Sequence, residues 1–148
     1  MLLPRRSWPW VAILVTAVPL SGPVRADPVK DDLQKLQGAW AVVSAEGGGQ
    51  PREDLKKTRI TFEGDVITVH TGDNLKRGKV KLDPAREPRQ LTIQPEDRDE
   101  PLLGIYAFAR DGLRLCVGDL GEKSRPEKFA TAAGTRHVLF ELTKEKKP

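Results

Sequence analysis

Histidine and cysteine, the side chains that most often act as metal ligands, nucleophiles or general bases, are scarce in this sequence. His70 and His137 stand far apart beside aliphatic residues, and neither has a histidine or cysteine two to four positions away. Because a zinc site requires three or four converging ligands, we expect no metal site. Cys116 lies in strand-like sequence without a histidine beside it to generate a thiolate, which favours a structural thiol over a nucleophile. Pairing with a cysteine of a second chain is the alternative.

An acidic segment and a run of glycines are two further features that could serve chemistry. The segment 96–100 holds four carboxylates, but it lacks the glycine and the regular ligand spacing of a calcium loop, and Arg98 lies in its middle. The glycines at 47–49 do not have phosphate-loop spacing, and no Lys-Ser or Lys-Thr follows them. These patterns favour a solvated loop and a flexible connection. We therefore expect a protein that is not an enzyme and that uses no cofactor.

Arg125 and Phe129 form the pair most consistent with ligand recognition. A guanidinium can hold a carboxylate through two hydrogen bonds, and an aromatic ring can cover an apolar tail. Both residues lie within 118–136, the longest stretch without clear periodicity. Loops of that length are uncommon in compact domains unless they bind, act as lids or are disordered. The alternative is that the pair pins the loop onto the domain, with Arg125 bonded to Glu127 or to backbone.

The N-terminal segment has the three parts of a secretory signal peptide. Arg5 and Arg6 form a positive region, residues 8–20 are mostly apolar, and residues 24–26 (Val-Arg-Ala) provide a cleavage site. The apolar run is shorter than the roughly 20 residues that cross a bilayer, so a retained anchor is the weaker alternative. We expect cleavage near Ala26 and export to the periplasm or the extracellular space, by either the general or the twin-arginine route.

The charge of the chain changes once residues 1–26 are set aside. The chain has 25 Lys and Arg against 21 Asp and Glu, and the leader contains three of the arginines and none of the acids. A balance of 22 against 21 gives no electrostatic footprint for nucleic acid, and we expect no such partner. Residues 27–148 suffice for one domain with a real core. With Cys116 alone, no disulfide forms within the chain, so stability must come from packing.

The periodicity of residues 27–148 predicts a short helical turn followed by strands. Asp31 and Asp32 precede Leu33 and Leu36, which share one helical face. Alternation with period two then appears in eight runs. The runs lie near residues 40–45, 60–62, 67–69, 79–82, 90–94, 102–109, 113–117 and 138–143.

Eight antiparallel strands with mostly short connections predict an all-β, up-and-down barrel. Eight is the number at which a closed sheet is just wide enough to be filled or to hold one small ligand. A β-sandwich is the alternative. The predicted interior set consists of Trp40, Val42, Ile60, Phe62, Ile67, Val69, Val80, Leu82, Leu91, Ile93, Leu113, Leu115, Val117, Phe140 and Leu142.

The sequence Gly38-Ala39-Trp40, placed after a helical turn and at the start of the first strand, resembles the lipocalin and wider calycin superfamily. That resemblance implies a tryptophan packed across the closed end of a barrel, often under a basic side chain from the last strand. Lys144 and Arg136 are the two candidates for that side chain. The chain differs from a simple lipocalin in having no cysteine pair and in its long loop around Arg125.

Several motifs in one order are also similar to an uncharacterised family of small exported domains of planctomycete bacteria. These are Leu-Gln-Gly-x-Trp at 36–40, Ile-x-Phe-x-Gly at 60–64, Leu-Gly-Ile-Tyr at 103–106, Leu-x-Leu-Cys at 113–116 and Arg-Pro-x-x-Phe at 125–129. The similarity spans nearly all of residues 27–148. It implies an exported barrel and carries no activity with it.

These observations lead to one functional expectation and one alternative. We expect an exported, non-enzymatic, lipocalin-like domain that binds a small apolar or amphipathic ligand inside the barrel; no protein partner is indicated. The alternative is a filled barrel that acts as an interaction or scaffold module through its loops or outer surface. The residues expected to contact a ligand are Phe62, Val69, Tyr106, Arg125 and Phe129. Gly38, Trp40 and Cys116 are expected to be structural.

Overall fold

Within residues 27–119 and 121–146, the regular structure consists of one α-helix and nine strands. The computed structural model describes residues 27–119 and 121–146, so the predicted signal peptide lies outside the described residues. A 3-10 turn spans Glu53–Leu55. In chain order the other elements are α1 (Pro28–Leu36), β1 (Gly38–Gly47), β2 (Gln50–Pro51), β3 (Thr58–Glu63), β4 (Val66–Thr71), β5 (Asn74–Asp83), β6 (Arg89–Pro95), β7 (Leu102–Phe108), β8 (Gly112–Gly118) and β9 (His137–Lys144).

The strands form a closed antiparallel barrel. From β3 to β9 each strand pairs with the next in the chain, β1 pairs with β3, and β9 returns to pair with β1. Closure is seen directly in the register, where Val42 lies opposite Leu142 and Trp40 lies opposite Lys144. The eight-stranded barrel is therefore confirmed, and the sandwich alternative is excluded. The unpredicted β2 is a two-residue strand that pairs with the end of β1.

The period-two pattern holds along most strands, as β5 illustrates. Gly78, Val80 and Leu82 are buried, whereas Lys79 and Lys81 are exposed. This is the alternation expected when one sheet face lines a core and the other faces water. All fifteen residues of the predicted interior set belong to one cluster, with Val69 and Phe140 only partly buried at its border. The alternation therefore correctly identified inward-facing residues on seven of the eight barrel strands, whereas β7, which contributes Tyr106 to the same cluster, was not represented in the predicted set.

A β-bulge in β1 breaks this alternation. The register shifts between Val42 and Ser44, and Val43 between them is 57% exposed. Plain alternation from Trp40 and Val42 would place Ser44 on the inner face and Ala45 on the outer one. Instead Ala45 is buried, and Ser44 donates its hydroxyl to Glu141 at 3.3 Å. An inserted residue reverses the facing of all that follow it in a strand, and simple alternation does not predict this.

The helix α1 and Trp40 close one end of the barrel. Asp27 caps the helix by accepting from the backbone N–H of Val29 at 3.1 Å. Leu36, only 2% exposed, ends the helix against the core, and its carbonyl accepts from the Trp40 indole at 2.8 Å. Lys144 Nζ lies 5.6 Å from the Trp40 ring centroid, so Lys144 rather than Arg136 is the basic partner at this end.

Gly38 permits the tight link between the helix and the first strand. Its φ of 110° lies in a region that residues with a side chain rarely adopt. A Cβ at this position would also lie 3.4 Å from Lys144 Cε. Gly38 and Trp40 therefore both have structural roles at the connection through which the chain passes from α1 into β1.

An ion pair between a buried carboxylate and a partly exposed arginine, which the sequence did not indicate, fastens the helix to the barrel. Asp32 is 3% exposed and accepts from Arg89 Nη1 at 3.0 and 2.9 Å. The Tyr106 hydroxyl donates to the same carboxylate at 2.7 Å. Burial, aided by this hydrogen bond, raises the pKa of Tyr106 well above its usual value. The helix is therefore held by polar as well as apolar contacts.

Candidate functional site

The open end of the barrel, opposite α1, contains a cavity of about 380 Å³. Small-molecule sites in proteins usually have volumes of roughly 300–1,000 Å³ and mostly apolar walls. The wall here is largely aliphatic, and its members come from seven strands, β3 to β9. They include Ile60, Ile67, Val69, Ile93, Leu115 and Val117.

The cavity lies at one end because side-chain size changes along the barrel. Large side chains, Trp40, Phe62 and Tyr106, occupy the closed half and are 4% exposed or less. Towards the mouth the inward position of β5 is Gly78, where β6 approaches closely: a Cβ there would lie 2.7 Å from the carbonyl oxygen of Gln94. The close approach requires glycine, and the glycine leaves part of the wall unfilled.

Loops and strand ends frame the mouth of the cavity. The connection after β1 contributes Arg52 and Leu55, and the β6–β7 loop contributes Asp97 and Arg98. The lining also includes Asp119, at the start of the long β8–β9 loop. The mouth therefore lies beside the connection after β1 and the β6–β7 loop, whereas Arg125 itself is not part of the lining.

Polar groups near the rim differ in how far they are already satisfied. Arg52 donates to both carboxylate oxygens of Asp54, at 2.9 and 2.7 Å, which raises the pKa of Arg52 and lowers that of Asp54. The hydroxyls of Thr58 and Thr71 lie 3.0 Å apart and are partly buried in the lining. In the described part of the chain, Lys76 and Arg98 make no ion pair with a carboxylate at all.

A second depression lies at the closed end and has a volume of about 830 Å³. It borders Trp40 and Phe108, but Lys35, Lys144 and Lys146 also line it. Lys35 and Lys144 already lie over the two rings, 5.5 and 5.6 Å from their centroids. We favour the mouth cavity as the functional site, because its apolar wall continues into the barrel interior and is not covered by such contacts.

The residues predicted to contact a ligand do not form one group. Val69 lines the mouth cavity, whereas Phe62 lies deeper, is 2% exposed and is not part of the lining. Tyr106 belongs to the closed end, bonded to Asp32. Of the five predicted positions, therefore, Val69 is the one that reaches the mouth cavity.

Arg125 lies on the outer wall of the barrel. Its Nη1 donates to the carbonyls of Leu91 and Gly104 at 2.6 and 2.7 Å, and its Nη2 donates to the Thr92 hydroxyl at 3.0 Å. Burial lowers the pKa of this guanidinium. Its donors are thus directed at strands β6 and β7. These are the contacts expected from the alternative in which Arg125 pins the long loop onto the domain through bonds to backbone.

Phe129 belongs to a second apolar cluster, on the outside of the barrel. It packs against Ile105, Cys116 and Leu139, all of which point away from the interior. The Arg114 guanidinium lies 5.2 Å from the Phe129 ring centroid. The long loop therefore covers this outer apolar cluster with Phe129, and Arg125 anchors the loop to the barrel.

Cys116 lies at the centre of this outer cluster and is 0% exposed. Burial raises the pKa of its thiol to about 11, which keeps the sulfur protonated near neutral pH. Its structural assignment is consistent with this environment. A protonated and fully covered thiol is also poorly placed to pair with a second chain.

The remaining titratable side chains do not converge. His70 is exposed on β4, and His137 Nε2 lies 3.3 Å from the Ser124 carbonyl. Across residues 27–119 and 121–146, no three His, Cys, Asp or Glu side chains come together as metal ligands would. Within those same ranges, no helix has the length and apolar character needed to span a membrane.

The inward-facing Lys76 is the mouth residue that sequence reasoning missed. It belongs to the same alternating set as Gly78, Val80 and Leu82, so the period-two pattern contained the signal. The predicted ligand contacts, however, included no lysine on the inner face of a strand. In the sequence, Arg98 served only as an argument against a calcium loop, yet the β6–β7 loop carries it to the cavity lining.

Comparison with family models, with curated proteins and with solved structures finds no match to this chain.

Proposed function

We propose that this protein is an exported, lipocalin-like carrier that binds one small apolar or amphipathic molecule at the open end of its barrel. The observation that supports the proposal best is the cavity of about 380 Å³ within an otherwise filled interior. An apolar wall with few polar groups at its edge is the usual composition of a small-molecule site. A binding role is favoured over catalysis because the cavity lining brings no nucleophile together with a base.

The shape of the interior supports a ligand over complete filling. Genuine protein interiors are packed like organic crystals, and voids larger than a water molecule are few. The closed half follows that rule with Leu36, Trp40 and Phe62. The open half does not, since Val69, Leu102 and Phe140 are only partly buried and line open space at the mouth. A scaffold module would have no need for an unfilled, open apolar cavity.

Native mass spectrometry tests the carrier function. The protein is expressed from the full 148-residue chain, isolated, and examined for a co-purified molecule and for uptake of a fluorescent apolar probe. We expect probe binding in the native protein and its loss in Val69→Trp, which fills the cavity. Val43→Trp is the matched control, because Val43 is 57% exposed on the outside of β1.

Two results would overturn the carrier proposal. The first is an absence of both co-purified molecule and probe binding in a folded protein. The second is equal probe binding by the native protein and Val69→Trp, since binding would then occur elsewhere. The filled-barrel scaffold function would take precedence after either result.

Export is tested separately by the mass of the processed protein. The leader predicts cleavage after Ala26, so the mature chain begins at Asp27. Replacement of Ala26 by Leu should slow processing, because signal peptidases require small residues at this site. Recovery of unprocessed full-length chain from the cytoplasm would contradict export.

A further inference from the structure

The charges at the mouth of the cavity are unbalanced in a way that points to the ligand's head group. Six charged residues belong to the lining, four of them cations: Arg52, Lys76, Arg77 and Arg98, against Asp97 and Asp119. This excess lies at the edge of an apolar cavity, although residues 27–148 are nearly neutral as a whole. The positive charge is therefore concentrated locally.

One of these cations, Arg52, is already paired. Arg52 is held by Asp54, and its pKa is raised further by the nearby charge of Asp119. Lys76 and Arg98, as noted above, make no ion pair within the described ranges. Arg77 follows Lys76 in β5, and its carbonyl accepts from Glu96 N–H at 3.0 Å, which joins this strand to the β6–β7 loop. Lys76 and Arg98 thus come to the mouth from adjoining segments.

Lys76 is distinguished from the other lysines of β5 by its direction. It shares the inward phase of Gly78 and lines the cavity, whereas Lys79 and Lys81 alternate to the outer, exposed face. A lysine on an outer barrel face needs no explanation beyond solubility. A lysine at an inward position, paired with Val69 and sharing the cavity lining with Ile67 and Ile93, adds a cation to a largely apolar wall.

We propose that the ligand is a single-tailed amphiphile with an anionic head, a carboxylate or a phosphate, held by Lys76 and Arg98. This inference rests on the proposed carrier function. Guanidinium and ammonium groups form the stronger, charge-assisted hydrogen bonds with such heads. From Thr71 at the rim to Ile67 at the floor, a tilted strand covers roughly 10 Å, which suits a medium-length alkyl tail.

Isothermal titration with four ten-carbon amphiphiles tests the head-group preference. Decanoate and decyl phosphate carry anionic heads, decanol is neutral, and decyltrimethylammonium is cationic. We expect at least one of the two anions to bind about tenfold more tightly than decanol, and the cation to bind most weakly. The anion preference should shrink as salt increases, because charges near the surface are screened.

Two substitutions with a matched control assign the effect to residues. Lys76→Gln and Arg98→Gln should each weaken binding of the preferred anion about threefold to tenfold and leave decanol binding unchanged. Lys79→Gln, on the same strand but outside the barrel, should leave all four affinities unchanged. All three side chains are exposed, so circular dichroism should show unaltered folding.

The outcomes separate this inference from the function on which it rests. If decanol binds as tightly as both anions, the head-group assignment is wrong and the carrier function stands. If Lys79→Gln has the same effect as Lys76→Gln, the effect is one of overall charge and the assignment is again overturned. If none of the four amphiphiles binds while the fluorescent apolar probe still does, the inference fails and the carrier function stands; if the probe also fails to bind, both fail.

Discussion

Asp32 of the helix and Arg89 at the start of β6 are joined by two hydrogen bonds of 2.9 and 3.0 Å across the closed end of the barrel. Asp32 is almost fully buried there, while the Arg89 side chain keeps 40% exposure. Pairing satisfies the carboxylate, which would otherwise be a costly group in the core. The pair therefore holds the helix in one position across the closed end of the barrel.

The first prediction concerns removal of Arg89. Arg89→Leu leaves the Asp32 carboxylate buried with Tyr106 as its remaining side-chain donor, and we expect a loss of about 2 kcal/mol in the free energy of unfolding. The value is below that of a fully buried pair because Arg89 is partly hydrated. Urea denaturation measures it. Arg86→Leu is the control: its pair with Asp83 is exposed on both sides and should be worth less than about 0.5 kcal/mol. Equal losses in the two variants would show that the Asp32 pair has no special role.

The second prediction concerns Trp40. Trp40→Ala removes a large side chain that is 4% exposed, together with its hydrogen bond to Leu36, and should cost roughly 3 to 5 kcal/mol in urea denaturation. Val43→Ala, on the exposed bulge of the same strand, should change stability by less than about 0.5 kcal/mol. A loss below about 1 kcal/mol in Trp40→Ala would show that Trp40 is not part of the core.

Much of the barrel was predictable because its information is local. Alternation in β5, from Gly78 to Leu82, identifies the inner face without reference to any other strand. The bulge at Val43 was not predictable in this way, because it depends on how β1 must bend to meet β9. Likewise Asp32 and Arg89 are 57 residues apart, so neither local sequence indicates its partner.

The candidate site was harder to predict for the same reason. Val69 was identified because it belongs to an apolar alternation, and such residues must line the interior somewhere. Whether they meet a filled core or an open cavity depends on the sizes of the side chains that seven different strands contribute around the mouth. Arg125 and Phe129 were chemically suited to a ligand, but their loop folds onto the outer wall. The chemical character of a side chain does not reveal whether its loop folds over the mouth or over the outer surface of the barrel.

The third prediction concerns the ionisation of Cys116. Burial raises its pKa to about 11 from the usual value near 9, so between these two values the unfolded chain loses the thiol proton before the folded one. The folded state then binds more protons, and its stability should fall as pH rises through this window. Cys116→Ala should lose that part of the pH dependence, measured by urea denaturation from pH 8.5 to 11.

At pH 8, a disulfide reagent should label the native Cys116 thiol far more slowly than the urea-unfolded one. Rapid labelling of the native protein, or a disulfide dimer on non-reducing gels, would contradict the buried environment.

The last prediction separates the two roles considered for Arg125. Arg125→Ala removes the three hydrogen bonds that fasten the loop to Leu91, Thr92 and Gly104, and should cost about 1 to 3 kcal/mol. Because Phe129 covers Cys116, loosening of the loop should also speed thiol labelling of the native protein. Amphiphile affinity should stay within about twofold, since Arg125 does not line the cavity. Lys128→Ala, an exposed change in the same loop, should alter neither labelling nor stability. If Arg125→Ala instead abolished amphiphile binding while labelling of Cys116 stayed slow, the guanidinium would be a ligand contact and the loop would have to reach the mouth in the bound state.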